Sequence, residues 1–251
     1  IFVYNITSFA KLIYLSAIIG FSSVILLTAV RYQTPQAVLN TRKEELKFSY
    51  VDSLVEKSSW FPAFITIIIN LGYGSVVTFI VIFGEERGIE QIFLFYIFNA
   101  LMATLGRPIA GRWFDEKGPI GLVLFCTFAT FVGMWVLSFA HSSLLIAISG
   151  ALFGLGFGCL IPTLQSWALV MTPSHRRGVA NGMIFSSIDL GIGLSGLIFG
   201  VLAQFVGTAS IFRCASLFLV AAIVLVVIME KKKRASISRD AVSKKKVRTS
   251  F

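Results

Sequence analysis

The chain has 251 residues, of which 56% are hydrophobic and 14% are charged, and its mean hydropathy is +0.85. Soluble domains carry roughly a quarter charged residues, so this composition excludes an ordinary soluble protein. The formal net charge of +10 would suit a nucleic-acid-binding protein, but the cations cluster between and after apolar blocks without an interleaved aromatic or Gly-rich element, which argues against nucleic acid as a partner.

Seven apolar blocks are each long enough to cross a bilayer as an α-helix, because a hydrocarbon core of about 30 Å requires about 20 residues at roughly 1.5 Å each. The blocks cover residues 8–30, 60–83, 91–110, 119–140, 143–171, 179–203 and 210–229. None shows the apolar/polar alternation of an outer-membrane strand. We therefore predict an all-α integral membrane protein with a six-helix transmembrane bundle over 59–230 and one preceding helix.

Residues 1–30 contain the first block. They begin at Ile1 rather than at Met, and no signal peptide precedes the block. We expect it to be the last transmembrane helix of an N-terminal half that is missing from this sequence. Residues 31–58 carry charges of both signs between Pro35 and the apolar run that begins at Trp60, so they are predicted to form a central cytoplasmic linker.

The distribution of Lys and Arg predicts the orientation of the chain in the membrane. Placing the C-terminus in the cytoplasm puts 19 of the 22 basic residues on that side, in segments 31–58, 106–118, 172–178 and 230–251. This is the positive-inside pattern of a multi-pass protein, here expected in a bacterial plasma membrane. The basic tail, 231–251, is expected to contact anionic lipid headgroups.

A loop signature is predicted between the third and fourth blocks, where Gly111, Asp115 and Gly118 keep the spacing Gly-x3-Asp-x2-Gly. It resembles the cytoplasmic loop of the major facilitator superfamily, although Glu116 replaces that loop's basic residue. The resemblance implies that Gly111, Arg112, Asp115 and Gly118 form a gate for the cytoplasmic helix ends. The alternative is that Asp115 caps the following helix.

The fifth block adds a second resemblance to the same family. Gly150, Gly154 and Gly158 recur every four residues, which places them on one helix face where another backbone can approach closely. Arg176-Arg177-Gly178 and Ala180-Asn181-Gly182 are also similar to the family's next helix. The resemblance extends over the whole chain and implies the second half of a facilitator, with the missing N-terminal half as its partner. No strong sequence repeat is apparent between 60–140 and 143–229.

Asp189 is the candidate for proton coupling. It lies eleven residues beyond Gly178, which places it about 16 Å into the membrane. A carboxylate there costs at least about 3 kcal/mol, so it should face a cavity or a partner group. In the family that the chain resembles, such acids often couple proton flow to transport. Two alternatives are a hydrogen bond to Ser186 or Ser187, and direct contact with a cationic substrate.

Four further polar residues within the blocks are candidates for lining a substrate cavity: Asn70, Tyr73, Asn99 and Gln165. Packing between helices is the alternative role for each of them. His141 and His175 lie in predicted loops, and neither begins an acyltransferase motif. Because no nucleotide-binding loop, nucleophile elbow or metal-ligand spacing is present in the sequence, we expect neither an enzyme nor a bound cofactor or metal.

These features together predict a facilitator-family permease that moves a small organic molecule by alternating access. Proton-coupled efflux by an antiporter is favoured, with the transmembrane proton gradient as the energy source, because the Phe-rich helices lack the fixed charges expected for uptake of carboxylates or sugar phosphates. The alternatives are an uptake symporter for a metabolite, a membrane-embedded enzyme and a helical sensor.

Overall fold

The computed structural model describes residues 9–29 and 55–248, which are mainly helical and contain no β-strand. The helices are α1 (Phe9–Ala29), α2 (Trp60–Glu86), α3 (Phe93–Lys117), α4 (Pro119–Ser138), α5 (Ser143–Met171), α6 (Arg177–Val206) and α7 (Thr208–Arg248). Six of them, α2 to α7, are long and apolar enough to cross a membrane, which confirms the predicted six-helix bundle. The predicted linker lies almost entirely outside the described residues.

The chain divides into two compact units, Ile1–Lys47 and Phe48–Phe251. The first contains α1, an apolar helix of 21 residues. The second contains the six-helix bundle. Short 3-10 turns at Lys57–Ser59 and Ser174–Arg176 lead into α2 and α6.

The bundle is built from two three-helix repeats. Helix α5 packs mainly against α3 and α4, helix α2 packs mainly against α6 and α7, and α4 packs against α7. Exchanging α2, α3 and α4 with α5, α6 and α7 maps this set of pairs onto itself. Because each repeat has an odd number of spans, α2 and α5 run in opposite directions. This is the inverted-repeat arrangement of many secondary transporters.

A four-residue sequence repeat lies at the midpoints of α2 and α5, where Leu71-Gly72-Tyr73-Gly74 matches Leu155-Gly156-Phe157-Gly158. The rings of Tyr73 and Phe157 stack with centroids 3.8 Å apart and an interplanar angle of 5°. This short match does not amount to a strong repeat between 60–140 and 143–229, in line with the expectation above. The repeat is confined to the residues where the two helices meet, so a comparison over the full length of the halves does not reveal it.

The glycines of α5 let α3 approach at backbone distance. A Cβ added at Gly150, Gly154 and Gly158 would lie 2.8, 2.7 and 2.9 Å from the Cα atoms of Phe95, Asn99 and Ala103 respectively. This confirms the close approach predicted from the four-residue spacing. The inverted repeat relates the α3–α5 contact to the contact between α6 and α2. There, a Cβ added at Gly191 of α6 would lie 2.6 Å from the Cβ of Asn70 in α2.

Glycines with positive φ mark the two ends of the bundle. Gly118, with φ 79° and ψ 178°, is the single residue between α3 and α4, and Gly88, with φ 63°, follows α2. We call these the Gly118 end and the Gly88 end. The starts of α2, α4 and α6 lie at the Gly118 end, where the Ser59 hydroxyl donates to the Ala168 carbonyl, 3.0 Å away, near the end of α5.

The predicted loop over 106–118 was wrong, because α3 continues through Pro108 to Lys117. Pro108 lacks one backbone donor, but ending the helix there would leave several further N–H and C=O groups without partners in the hydrocarbon. Much of the basic tail is helical as well, because α7 continues to Arg248, beyond its apolar span Thr208–Lys232.

We predict that Gly154→Ala destabilises the bundle by about 1–3 kcal/mol, because the added methyl group would collide with the α3 backbone at Asn99. Thermal unfolding of the purified protein in detergent measures the change. Gly121→Ala is the matched control, since its Cβ would meet only the Trp113 ring at an ordinary 3.7 Å. Equal melting temperatures for the two variants would contradict the close α3–α5 contact.

Candidate functional site

A cavity of about 460 Å³ lies between α3 and α5 toward the Gly118 end. Its volume falls within the range of small-molecule sites, roughly 300–1,000 Å³. The α3 wall is one helix face, formed by Arg107, Ala110, Gly111, Phe114 and Asp115. The α5 wall is formed by Cys159, Pro162, Thr163, Ser166, Leu169 and Val170, and Arg177 adds the first residue of α6. The cavity therefore combines an apolar lining with three charged side chains.

Arg107 is the site residue that sequence analysis missed. Because α3 continues to Lys117, Arg107 lies about 15 Å before the end of that helix and within its membrane span. It makes no hydrogen bond or ion pair with any residue that the structure describes. No clear signal in the sequence marked this position, because Pro108, the next residue, is compatible with both a loop and a continuing helix.

The predicted gate residues separate into two groups. Gly111 and Asp115 line the cavity, whereas Arg112 is exposed outside it and Gly118 forms the turn into α4. The proposed capping role of Asp115 is wrong, because Asp115 belongs to the last turn of α3 and no side chain caps the start of α4. Asp115 has no ion-pair partner within 9–29 and 55–248.

Asp189 lies near the middle of α6, about 18 Å from its start at Arg177, and its side chain is exposed. It has no hydrogen-bond partner among the described residues, and the neighbouring Ser187 hydroxyl donates instead to the Met183 carbonyl at 2.8 Å. The hydrogen bond to Ser187 considered above is therefore absent from this structure.

Asp189 shares its helix face with several glycines. No atom lies within 4 Å of a Cβ added at Gly178, Gly182, Gly193, Gly196 or Gly200. The opposite face packs against α2 through Gly191 and Ser195. We call the first surface the open face of α6. It presents a carboxylate and a glycine row that no described part of the bundle covers.

Asn70 and Gln165 are not among the residues that line the cavity. Asn70 is fully buried, donates to the Thr66 carbonyl at 2.8 Å and contacts Gly191 of α6. Gln165 donates to the Asn181 side-chain oxygen at 2.5 Å, which links α5 to α6. The link between Gln165 and Asn181 favours the packing alternative for Gln165, whereas the Asn70 Oδ1 atom is buried without a hydrogen-bond partner in the described residues.

Tyr73 and Asn99 also lie outside the cavity wall. Tyr73 is half-buried in an aromatic cluster with Phe157 and with Phe153, whose ring centroid lies 5.9 Å away. Asn99 is half-buried, and its backbone is the surface that Gly154 approaches. Asn70, Tyr73 and Asn99 thus occur at helix crossings, whereas Gln165 lies beside the cavity-lining Ser166 but is not part of the cavity wall.

A polar cluster joins helix ends at the Gly118 end. The carboxyl of Glu56 accepts from the Ser58 hydroxyl at 2.7 Å and from the Ser58 N–H at 3.1 Å, and it forms an ion pair with Arg176. Arg176 also donates to the Val55 carbonyl at 3.1 Å. These contacts tie the segment before α2 to the turn before α6.

The sequence profile of the Major Facilitator Superfamily matches residues 1–196 and 108–250, two overlapping ranges that together cover nearly the whole chain. The chain belongs to this superfamily. The confirmed family explains the inverted repeat and supports transport across a membrane as the broad function.

Two relatives are MFS-type transporters whose functions are not characterised. One, from Methanocaldococcus jannaschii, is 25% identical over 209 residues, which is 79% of this chain and 53% of the relative. The other, YhhS of Escherichia coli K12, is 23% identical over 217 residues, or 86% and 51% of the two chains. The chain thus spans about half the length of the relatives it matches.

Among solved structures, the peptide transporter POT in complex with alafosfalin has a similar fold. It superposes with a TM-score of 0.53 and 21% sequence identity, and the match covers 77% of this chain and 46% of that transporter. At this identity the similarity supports the fold and carries no information about substrate.

The Glu56 cluster makes a prediction about pH. The Ser58 hydroxyl, with help from Arg176, holds the pKa of the Glu56 carboxyl below its ordinary value of 4.5. A lowered pKa in the folded state stabilises the protein above the unfolded pKa, and this contribution disappears as the pH falls through the folded pKa. Glu56→Gln should therefore lower the melting temperature at pH 7, and the difference from the original protein should shrink below about pH 4.5.

Glu90→Gln is the control for this measurement, because Glu90 is exposed and has no ion pair within the described part of the chain. Thermal unfolding between pH 3.5 and 8 compares the three proteins. A Glu56→Gln effect that is constant over the whole pH range would contradict an ionised, bonded Glu56.

Proposed function

We propose that this protein exports a small organic molecule from the cytoplasm by alternating access, in exchange for protons. The observation that supports this proposal is the α3–α5 cavity, an open cleft of small-molecule size on a bundle of membrane-spanning helices. Family membership supports transport, and the direction and coupling are our proposal. Metabolite uptake by symport is the alternative within transport.

The orientation that we propose places the Gly118 end in the cytoplasm. Arg112, Lys117, Arg176 and Arg177 occur at this end, and Lys231 and Lys232 lie at the end of the α7 span. The Gly88 end carries Glu85, Glu86 and Glu90 together with Arg87. This asymmetry supports a cytoplasmic Gly118 end, because cytoplasmic loops are enriched in Lys and Arg. The cavity would then open toward the cytoplasm, where an exporter collects its substrate.

Alternating access requires two halves that rock about a shared site. The bundle described here resembles one such half, and its relatives are about twice as long as the matched region. We propose that a second half covers the open face of α6 and completes the pathway. This arrangement would place Asp189 in a polar pathway rather than against lipid, where an ionised carboxylate costs at least about 3 kcal/mol.

Asp189 is the residue that we propose to exchange protons. Its position near the middle of α6 lets a proton arrive from one side and leave toward the other as access alternates. Its exposed carboxyl group has no ion-pair partner among the described residues. The alternative, contact with a cationic substrate, uses the same position but predicts a different kinetic effect.

We predict that Asp189→Asn lowers pH-gradient-driven transport at least about 10-fold, while exchange of substrate for substrate without a gradient is retained. The full-length gene product in everted membrane vesicles permits both measurements, with a pH-sensitive dye reporting proton release when test compounds are added. Glu116→Gln is the matched control, since Glu116 is an exposed carboxylate outside the cavity.

The outcomes separate the alternatives for this residue. Unchanged proton-driven transport would remove Asp189 from the coupling mechanism. Equal loss of driven transport and exchange, limited to cationic compounds, would instead support contact with a cationic substrate. Compounds that accumulate in cells expressing the gene, rather than being depleted, would replace export by uptake.

A further inference from the structure

We propose that the α3–α5 cavity is an anion site in which Arg107 pairs with a carboxylate or phosphate group of an organic molecule. This inference deepens the proposed function, on which it rests, by assigning a chemical class to the substrate. It departs from the expectation that the membrane-spanning helices lack fixed charges suited to acidic compounds.

The position of Arg107 requires a partner. A guanidinium group cannot lose its proton in a protein, so Arg107 remains charged within the span of α3. Transfer of such a charge into the membrane costs at least about 3 kcal/mol unless it faces water or an opposite charge. Arg107 faces the cavity and makes no ion pair with the residues described in the structure.

Asp115 does not fill this role. It lies eight residues beyond Arg107 on the same wall, which separates the two backbone positions by about 12 Å along α3. The two side chains form no ion pair, although both face the same cavity. Arg107 can therefore accept an external anion without breaking an existing contact.

The remaining charge around the cavity also favours an anion. Arg177 faces the cavity from the first residue of α6, so the lining contains two guanidinium groups and one carboxylate. No residue in the described chain forms an ion pair with Arg177. Guanidinium groups bind carboxylates and phosphates through paired N–H donors, which makes this lining chemically suited to either group.

The other lining residues indicate the chemistry of the rest of the ligand. Phe114, Pro162, Leu169 and Val170 offer apolar surface on both sides of the cavity. Ser166 adds an exposed hydroxyl that makes no hydrogen bond with any residue in the described ranges. A molecule with one anionic group and an apolar or aromatic body would fit this combination. The same chemistry is found in a soluble organic acid and in the headgroup of an anionic lipid, and the test must separate them.

Thermal unfolding of the purified full-length protein in detergent tests the site with defined probes. Phenylphosphonate and benzoate are the anionic probes, and benzamide is the neutral probe of matched shape. We expect both anions, but not benzamide, to raise the melting temperature. In Arg107→Gln the apparent affinity for phenylphosphonate should fall at least about 10-fold, whereas Arg107→Lys should retain part of it because the positive charge remains.

Arg112→Gln is the matched control, because Arg112 lies on the same helix but outside the cavity. It should bind phenylphosphonate as the original protein does. If Arg107→Gln does not fold, Arg107→Lys and Arg177→Gln provide the comparison, and both should weaken binding. Equal stabilisation by benzamide and benzoate, or equal affinity in Arg107→Gln and Arg112→Gln, would overturn the proposal.

A second measurement with added lipids distinguishes a soluble organic anion from a lipid headgroup. Phosphatidic acid and phosphatidylcholine are added separately to the detergent micelles, and phenylphosphonate binding is measured again. Competition by phosphatidic acid alone would support the anion site and assign it to a lipid headgroup. Binding that neither lipid changes would support a soluble organic anion.

The same preparations separate this inference from the proposed function. Proton-driven transport of neutral or cationic compounds without any anion binding would overturn the anion site and leave the transport proposal standing. Anion binding that depends on Arg107, in a protein that moves no compound against a proton gradient, would support the site and overturn the proposed coupling.

Discussion

The need to satisfy backbone hydrogen bonds inside the membrane governs this structure. Water is absent from the hydrocarbon core, so a helix that ended there would leave N–H and C=O groups unpaired at a cost of several kcal/mol each. Helices α3 and α5 therefore continue through Pro108 and Pro162. The continuity of α3 places Arg107 within the span and aligns it with Gly111 and Asp115 on one face. The cavity exists in its present form because of this continuity.

Close packing of continuous helices then determines which surfaces remain available. Lipid chains are as apolar as the side chains, so helices associate through backbone contact at small residues. In α5, Gly154 faces α3 while Gly156 faces α4, and in α2, Gly74 faces α6 while Gly72 faces α7. Helices α2 and α5 therefore each pack against two neighbouring helices through glycines on two different faces. The surfaces left uncovered in the described bundle include the α3–α5 cavity and the open face of α6.

Polar groups inside the spans fall into two classes with different consequences. Gln165 donates to Asn181 on the next helix, whereas Asn70 donates to Thr66 within α2 and keeps a buried side-chain oxygen without a partner in the described residues. Arg107 and Asp189 make no such bond within the described residues. Their charges differ in sign and belong to different helices. In the proposals above, these two side chains would bind the organic anion and the proton at separate places in the bundle.

The sequence by itself determined the class of the protein, the number of spans in the bundle and the glycine face of α5 that another backbone approaches. These features depend on composition, block length and local spacing, because the membrane imposes the same length on every span and a four-residue spacing lies on one helix face. Tertiary structure decided the end of α3, the location of Arg107 and the hydrogen-bond partners of Asn70 and Gln165. A proline is compatible with both a loop and a continuing helix, and a buried amide is compatible with both packing and binding. Only the neighbouring helices, which supply or withhold the partner groups, distinguish these outcomes.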